Sequence, residues 1–202
     1  MSASPKTRLS ELQYLAVENA AAFRSEFYDG EMFAMAGATP GHNTIRENLG
    51  GELYARIKGG RCRSYSVDQR VKVERTGLYT YPDILIVCGT PQVAWDDPMS
   101  IVNPTAIIEV LFPSTEKYDR GAKFRNYRQI PTLVEYILVA QDEAVCERFI
   151  RQADGSWGYV SFVGLADTLA FHSVPADVPL ADIYAGIELP EVAALADRTA
   201  SD

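Results

Sequence analysis

The sequence has little of what defines several familiar classes of small protein. Three of its 202 residues are cysteines (Cys62, Cys88, Cys146) and two are histidines (His42, His172). An odd cysteine count without a CxxC pair excludes a disulfide framework and a zinc ribbon. A chain of this length buries roughly 70% of its unfolded surface and needs no covalent staple. The thiols are therefore expected to be reduced, with Cys88 as inert packing at the end of a buried strand. No apolar run approaches the ~20 residues of a membrane span, and the N-terminal Met-Ser-Ala-Ser-Pro-Lys-Thr-Arg lacks the apolar stretch of a signal peptide. A soluble, cytoplasmic protein without a membrane partner is the expectation. No GxSxG, P-loop or HExxH is present either.

Net positive charge is also lacking. The formal charge is −8, and it is unevenly spread: residues 1–128 carry 16 basic and 15 acidic side chains, residues 129–202 only 3 basic and 12 acidic. Such acidity argues against a protein that coats nucleic acid non-specifically, because phosphate attraction supplies most of that affinity. A local basic track remains compatible with it. Arg56, Lys58, Arg61, Arg63, Arg70, Lys72 and Arg75 form one cationic window, and Lys117, Arg120, Lys123, Arg125 and Arg128 another. Solvated helix ends and an exposed hairpin would produce the same pattern.

What the chain does have is punctuated periodicity. Ser10 can cap a helix over Glu11 to Glu18. Asp29-Gly30 between two extended runs, Phe23–Tyr28 and Glu31–Ala36, signals a hairpin, since both turn residues tolerate positive φ. Ile45, Leu49, Leu53 and Ile57 predict a helix from about His42 to Lys58, stopped by Gly59-Gly60. Arg63–Val67 and Arg70–Glu74 alternate like a second hairpin. Asp83–Val87, Ala106–Leu111 and Val134–Ala140 have the Ile/Val-rich composition of strands buried on both faces. Residues 115–128 read as a helix bounded by Pro113 and Pro131. Val145–Arg151 and Tyr159–Val163 look like an antiparallel continuation, and Leu180–Ile187 like a short last helix. With no repeat and no linker, the expectation is one α/β (α+β) domain over residues 1–202. Its core spans about 9–190, its central mixed β-sheet is flanked by helices, and residues 191–202 form a frayed tail.

Two acidic residues stand where acids are costly. Glu109 lies inside Ala106-Ile107-Ile108-Glu109-Val110-Leu111, and Asp83 opens Ile84-Leu85-Ile86-Val87. A buried carboxylate must be paired or bound to a cation. If the strands are neighbours, the two acids converge and one is held protonated unless a divalent cation sits between them. Mg²⁺ takes one or two such carboxylates and completes its shell with water and phosphate. A strand-end turn for Asp83 and an arginine partner for Glu109 are the structural alternatives. The eleven tyrosines are scattered, and the pattern suggests core aromatics rather than a base-stacking platform.

Tyr81-Pro82-Asp83-Ile84, Asn103-Pro104, Ile108-Glu109-Val110-Leu111-Phe112-Pro113-Ser114-Thr115, and Asp119-Arg120 with Lys123 and Tyr127 occur in an order that carries a resemblance. Upstream, Arg24-Ser25-Glu26, Asp29-Gly30-Glu31, Ala36-Gly37-Ala38, Pro40 and His42 agree with it, as do Glu135-Tyr136 and Leu138-Val139 downstream. The chain resembles the Uma-type (Uma-two) family, grouped with the restriction endonucleases in the PD-(D/E)xK nuclease superfamily, closely over residues 9–150. The resemblance implies a restriction-endonuclease-like core and Asp83 and Glu109 as metal-binding carboxylates, with Glu26 as an additional acid beside the metal. The superfamily's lysine position holds Leu111 here, and Lys123 on the following helix matches the lysine that this branch uses instead. One more cation on a largely exposed helix face is the plain alternative for Lys123. His42 could touch phosphate, orient Glu26 or simply enter a helix, and His172 has no role.

The implied activity is Mg²⁺-dependent hydrolysis of DNA, with Mn²⁺ substituting, Asp83, Glu109 and Lys123 as the catalytic set, and a homodimer by analogy with nucleases that cut both strands. A catalytically silent binding or scaffold protein on the same fold is the alternative. A metal-free carboxylate-pair glycosidase is another, and a chelator separates it from the nuclease.

Overall fold

The computed structural model describes residues 8–35, 37–66 and 68–189. The expected frayed tail therefore lies outside the described residues. In chain order the elements are α1 (Glu11–Glu18), β1 (Ser25–Tyr28), β2 (Glu31–Ala34), α2 (Pro40–Ile57), β3 (Cys62–Ser66), β4 (Arg70–Val73) and β5 (Leu78–Thr80). Then follow β6 (Ile84–Cys88), β7 (Val93–Ala94), β8 (Asp97–Ile101) and β9 (Ala106–Val110). Two short helices, α3 (Glu116–Tyr118) and α4 (Phe124–Tyr127), flank a π-helical turn, Asp119–Lys123. β10 (Glu135–Val139), β11 (Val145–Arg151), β12 (Trp157–Val163), β13 (Thr168–Ala170), β14 (Asp177–Pro179) and α5 (Leu180–Ile183) complete the chain.

Local chemistry sets the boundaries. Ser10 and Gln13 form a reciprocal capping box on α1. Asp29 and Gly30 adopt φ of 49° and 81°, as the tight β1–β2 turn requires. Thr39 caps α2 two residues earlier than the periodicity predicts, because Pro40 is tolerated in a first turn that needs no N–H partner.

The central sheet is mixed, ordered β12-β11-β10-β9-β6-β3, with β9 and β10 parallel and the other pairs antiparallel. A second sheet, β2-β1-β5-β4-β8-β7, faces it. Period-two alternation divides the central strands between two cores. Ile84, Ile86, Ile108, Ile137 and Val139 pack with Ile45, Leu49 and Leu53 of α2. Leu85, Val87, Ile107, Tyr136 and Leu138 meet Val71, Val73 and Leu78 of the second sheet. α1 covers that sheet's far face through Tyr14 and Leu15 on Phe27 and Tyr79. The layers are thus helix, sheet, sheet and helix.

The chain changes sheets repeatedly, and this corrects one expectation. β3 and β4 do not form a hairpin: β3 pairs with β6 in the central sheet, and β4 with β5 in the other. The true hairpin turns at residues 74–77, where Gly77 has φ of 70°. Part of the first cationic window is consequently buried and structural. Arg70 bonds Asp97 and Ser100, and Lys72 bonds Asp96 and Glu11. The last helix ends at Ile183, sooner than the predicted Ile187.

The cysteines provide a second correction. The antiparallel β3–β6 register sets Cys62 opposite Cys88, and the two are joined in a disulfide, while Cys146 is free and buried. Protein purified without reductant should titrate one thiol, and only after denaturation. Reduction should cost about 2–4 kcal/mol, the usual range for opening a loop of this size. Three thiols titrating before any reductant is added would contradict this pairing. Among the described residues, no helix is long and apolar enough to cross a membrane.

Candidate active site

Glu109 follows from strand parity. It shares the face of β9 that carries Ile107, so it points into the space between the sheets. Asp83 precedes β6, the antiparallel neighbour of β9. Across the gap, Glu26 turns inward from β1 while its neighbour Phe27 turns outward to α1. Lys123 enters from the π-turn. The wider π register often marks functional positions, and here it sets both Asp119 and Lys123 inward.

All five side chains line one cleft of about 470 Å³. Lys123 sits at its floor, only 6% exposed. Its Nζ lies 2.9 Å from Glu109 Oε1, 3.2 Å from Glu26 Oε1 and 3.4 Å from Asp119 Oδ1. The expected exposed helix face is therefore wrong for this lysine. The Tyr127 hydroxyl donates to Glu109 Oε1 at 2.8 Å, and Thr80 donates a short bond to Glu26 Oε1. Asp83 Oδ2 accepts the Val110 N–H at 2.8 Å and lies 3.2 Å from His42 Nε2. His42 thus faces Asp83 rather than Glu26. His172 is outside the cleft; its N–H donates to Glu135.

Burial dominates the electrostatics. It pushes the Glu109 carboxyl up to about 8, with Lys123 opposing and Asp119 and Asp83 adding repulsion. Burial also raises Asp119, against the pull of Lys123 and Thr115. For Lys123 burial works against the ammonium, but Glu109 and Glu26 outweigh it and hold the group charged. One lysine faces an excess of acids, so the metal-free cluster retains protons near neutrality. A carboxyl that binds its proton more tightly folded than unfolded loses stability as pH rises between its two pKa values. In chelator, the melting temperature should fall from pH 5 to pH 8 by upward of roughly 3 °C, and Glu109→Gln should flatten that slope. Parallel pH profiles for the two proteins would exclude Glu109 as the titrating acid.

The residue pair also suits a hard cation. Asp83 Oδ1 and Glu109 Oε2 accept no hydrogen bond among the described residues. No group of three or more acidic, His or Cys side chains among those residues forms a ready ligand set. Mg²⁺ needs only one or two carboxylates, water and phosphate filling the rest, so the pair fits such an ion. Sequence reasoning did not assign Asp119 or Arg46 to the site. The Asp119-Arg120 motif offered a signal for the first. For Arg46 the signal was its position one helical turn after His42, which puts it on the same wall of the cleft.

Comparison with known proteins agrees with this architecture. Residues 11–181 match the family model described as "Uma2: Putative restriction endonuclease". The chain belongs to this family. It is 30% identical over 184 residues to the uncharacterized protein slr1290 of Synechocystis sp. (strain ATCC 27184 / PCC 6803 / Kazusa), covering 91% of this chain and 95% of that one. A second uncharacterized protein of the same organism, sll1609, is 32% identical over 156 residues, 77% of this chain and 88% of its own. The fold also matches a crystal structure from Anabaena variabilis ATCC 29413, described as a "putative nuclease belonging to DUF820". The TM-score is 0.70 at 14% identity, covering 87% of this chain and 97% of that one. The restriction-endonuclease-like fold follows from that match, and the family description supports a nuclease.

Proposed function

We propose that the protein is a divalent-metal-dependent endonuclease acting on DNA, with Asp83, Glu109 and Lys123 as its catalytic set. The observation that carries this reading is the meeting of two strand-borne carboxylates with a buried lysine at the floor of an open cleft. Asp83 and Glu109 would hold Mg²⁺, or Mn²⁺ in its place. The bound ion would supply Lewis-acid polarisation of the phosphate and a water of lowered pKa.

The chain's own residues do the rest. Val110 N–H and His42 fix the orientation of Asp83, and Tyr127 fixes that of Glu109. Lys123 is held charged and aimed into the cleft, where its ammonium meets the negative charge developing on the phosphate. Glu26 is retained as the additional acid. It acts through Lys123 and counters the lysine's charge when phosphate is absent. Every one of these groups comes from one chain, so the homodimer expected by analogy is not needed to complete the site.

Calorimetric titration with Mn²⁺ tests the metal. One saturable site, weakened strongly by Asp83→Asn, is expected. Binding unchanged in that variant would remove Asp83 from the proposed centre.

A further inference from the structure

The walls of the cleft differ from its floor. On the inner face of the β1–β2 hairpin, Phe33 stands directly opposite Glu26, and Tyr28 lies on the diagonal from Phe33. Both side chains line the cleft, yet Phe33 is 47% exposed and Tyr28 38%. Met35 continues this apolar rim at 43% exposed, and Phe112 and Tyr118 line the cleft as well. The scattered tyrosines of the sequence are therefore not all core residues.

Cations are scarce here. Among the described lining residues, Lys123 is engaged by three carboxylates, and Arg46 is the other formally charged base. Among the described residues, Arg46 Nε is buried without a hydrogen-bond partner, and the guanidinium's ion-pair partner is Glu47 of its own helix, at 3.2 Å.

We propose that this cleft takes an unpaired nucleotide of single-stranded DNA, with its base against the Phe33–Tyr28 surface and an adjacent phosphate toward Arg46. The inference rests on the nuclease reading for its substrate class and goes beyond it in excluding intact duplex as the preferred substrate. Duplex DNA presents sugar–phosphate ridges outward and keeps its bases stacked inside. Such ridges are gripped by several lysines and arginines at once, whereas among the described lining residues Arg46 is the one base not already held by the acids of the floor. Exposed aromatic rings, by contrast, hold the π-face of any unpaired base with little regard to sequence. The position of Phe33 opposite Glu26 sets that base beside the acids, with its phosphodiester within reach of the floor. The cleft volume lies within the range of small-ligand sites and accommodates one nucleotide unit.

The test is anisotropy of the full chain with three fluorescein-labelled probes at fixed ionic strength in Ca²⁺: a dT 20-mer, an abasic 20-mer and a blunt 20-base-pair duplex. The dT strand should bind about tenfold or more tighter than either other probe. Phe33→Ala and Phe33→Leu should each lose about tenfold for the dT strand and nothing for the duplex, while Phe33→Tyr keeps wild-type affinity. Phe33 is half exposed, so melting temperatures should not move. Equal affinity for the abasic strand, a duplex preference, no binding of the dT strand, or equal losses on all probes would overturn the proposal. Cleavage in Mn²⁺ is read separately. A dT preference without cleavage of any DNA would remove the nuclease reading and leave this one standing; duplex cleavage without a dT preference would do the reverse.

Discussion

Lys123→Ala should melt about 10 °C below the wild type in chelator. Its ammonium is the charge shared by Glu109, Glu26 and Asp119, all of them nearly enclosed. Removing one partner of a buried ion pair costs about 3–5 kcal/mol, because the remaining charges stay desolvated and uncompensated. For a domain of this size each kcal/mol moves the midpoint by about 2–4 °C. Mn²⁺ should restore much of the loss, since a cation among the same acids replaces the missing positive charge. Cleavage should stay lost, because the restored protein still has no ammonium to meet the phosphate. Lys117→Ala is the control: it removes the same charge from an exposed position that does not line the cleft. Equal, small effects of the two substitutions on melting and cleavage would reduce both lysines to general attraction for DNA.

Glu109→Gln should separate stability from activity in the opposite sense. The substitution keeps the shape of the side chain and removes an acid that burial already disfavours as an anion. Lys123 retains Glu26 and Asp119 as partners, and Tyr127 can still donate to the amide oxygen. In chelator at pH 8 the midpoint should match or exceed that of the wild type. Mn²⁺ binding should be lost, and cleavage should fall by about two to three orders of magnitude, the scale on which preorganised charge contributes to catalysis. A midpoint far below the wild type would instead make Glu109 a structural partner of Lys123.

The contrast between these variants shows what the sequence could reveal. Glu109 was legible because a charge inside an Ile/Val run violates the burial rule, whatever the fold, and Asp83, at the entrance of such a run, through its place in Tyr81-Pro82-Asp83-Ile84. The strands themselves were legible through those Ile/Val runs. Lys123 was legible as a motif position but not as a buried one. Its charge made it read as solvated, although Asp119, Lys123, Tyr127 and Ile130 recur at the spacing of one helix face and all four are buried. The Cys62–Cys88 bond depends on which strand pairs with β3. Local alternation wrongly favoured β4, because strand partners twenty residues away are fixed by packing rather than by neighbours. Arg70 and Lys72 read as surface cations for the same reason: their partners Asp97 and Asp96 arrive from a distant hairpin. Phe33 and Tyr28 look like ordinary strand aromatics until the second sheet places them at the mouth of the cleft.

The most direct measurement is cleavage of circular single-stranded and supercoiled DNA by the wild-type chain, with Mn²⁺ and with chelator, alongside Glu109→Gln. Metal-dependent conversion to linear or nicked product, absent in chelator and in the variant, is the expected result. Cleavage that persists in chelator, or no cleavage of either DNA by protein shown to bind Mn²⁺, would contradict the assignment of Asp83, Glu109 and Lys123 as a metal-dependent nuclease centre.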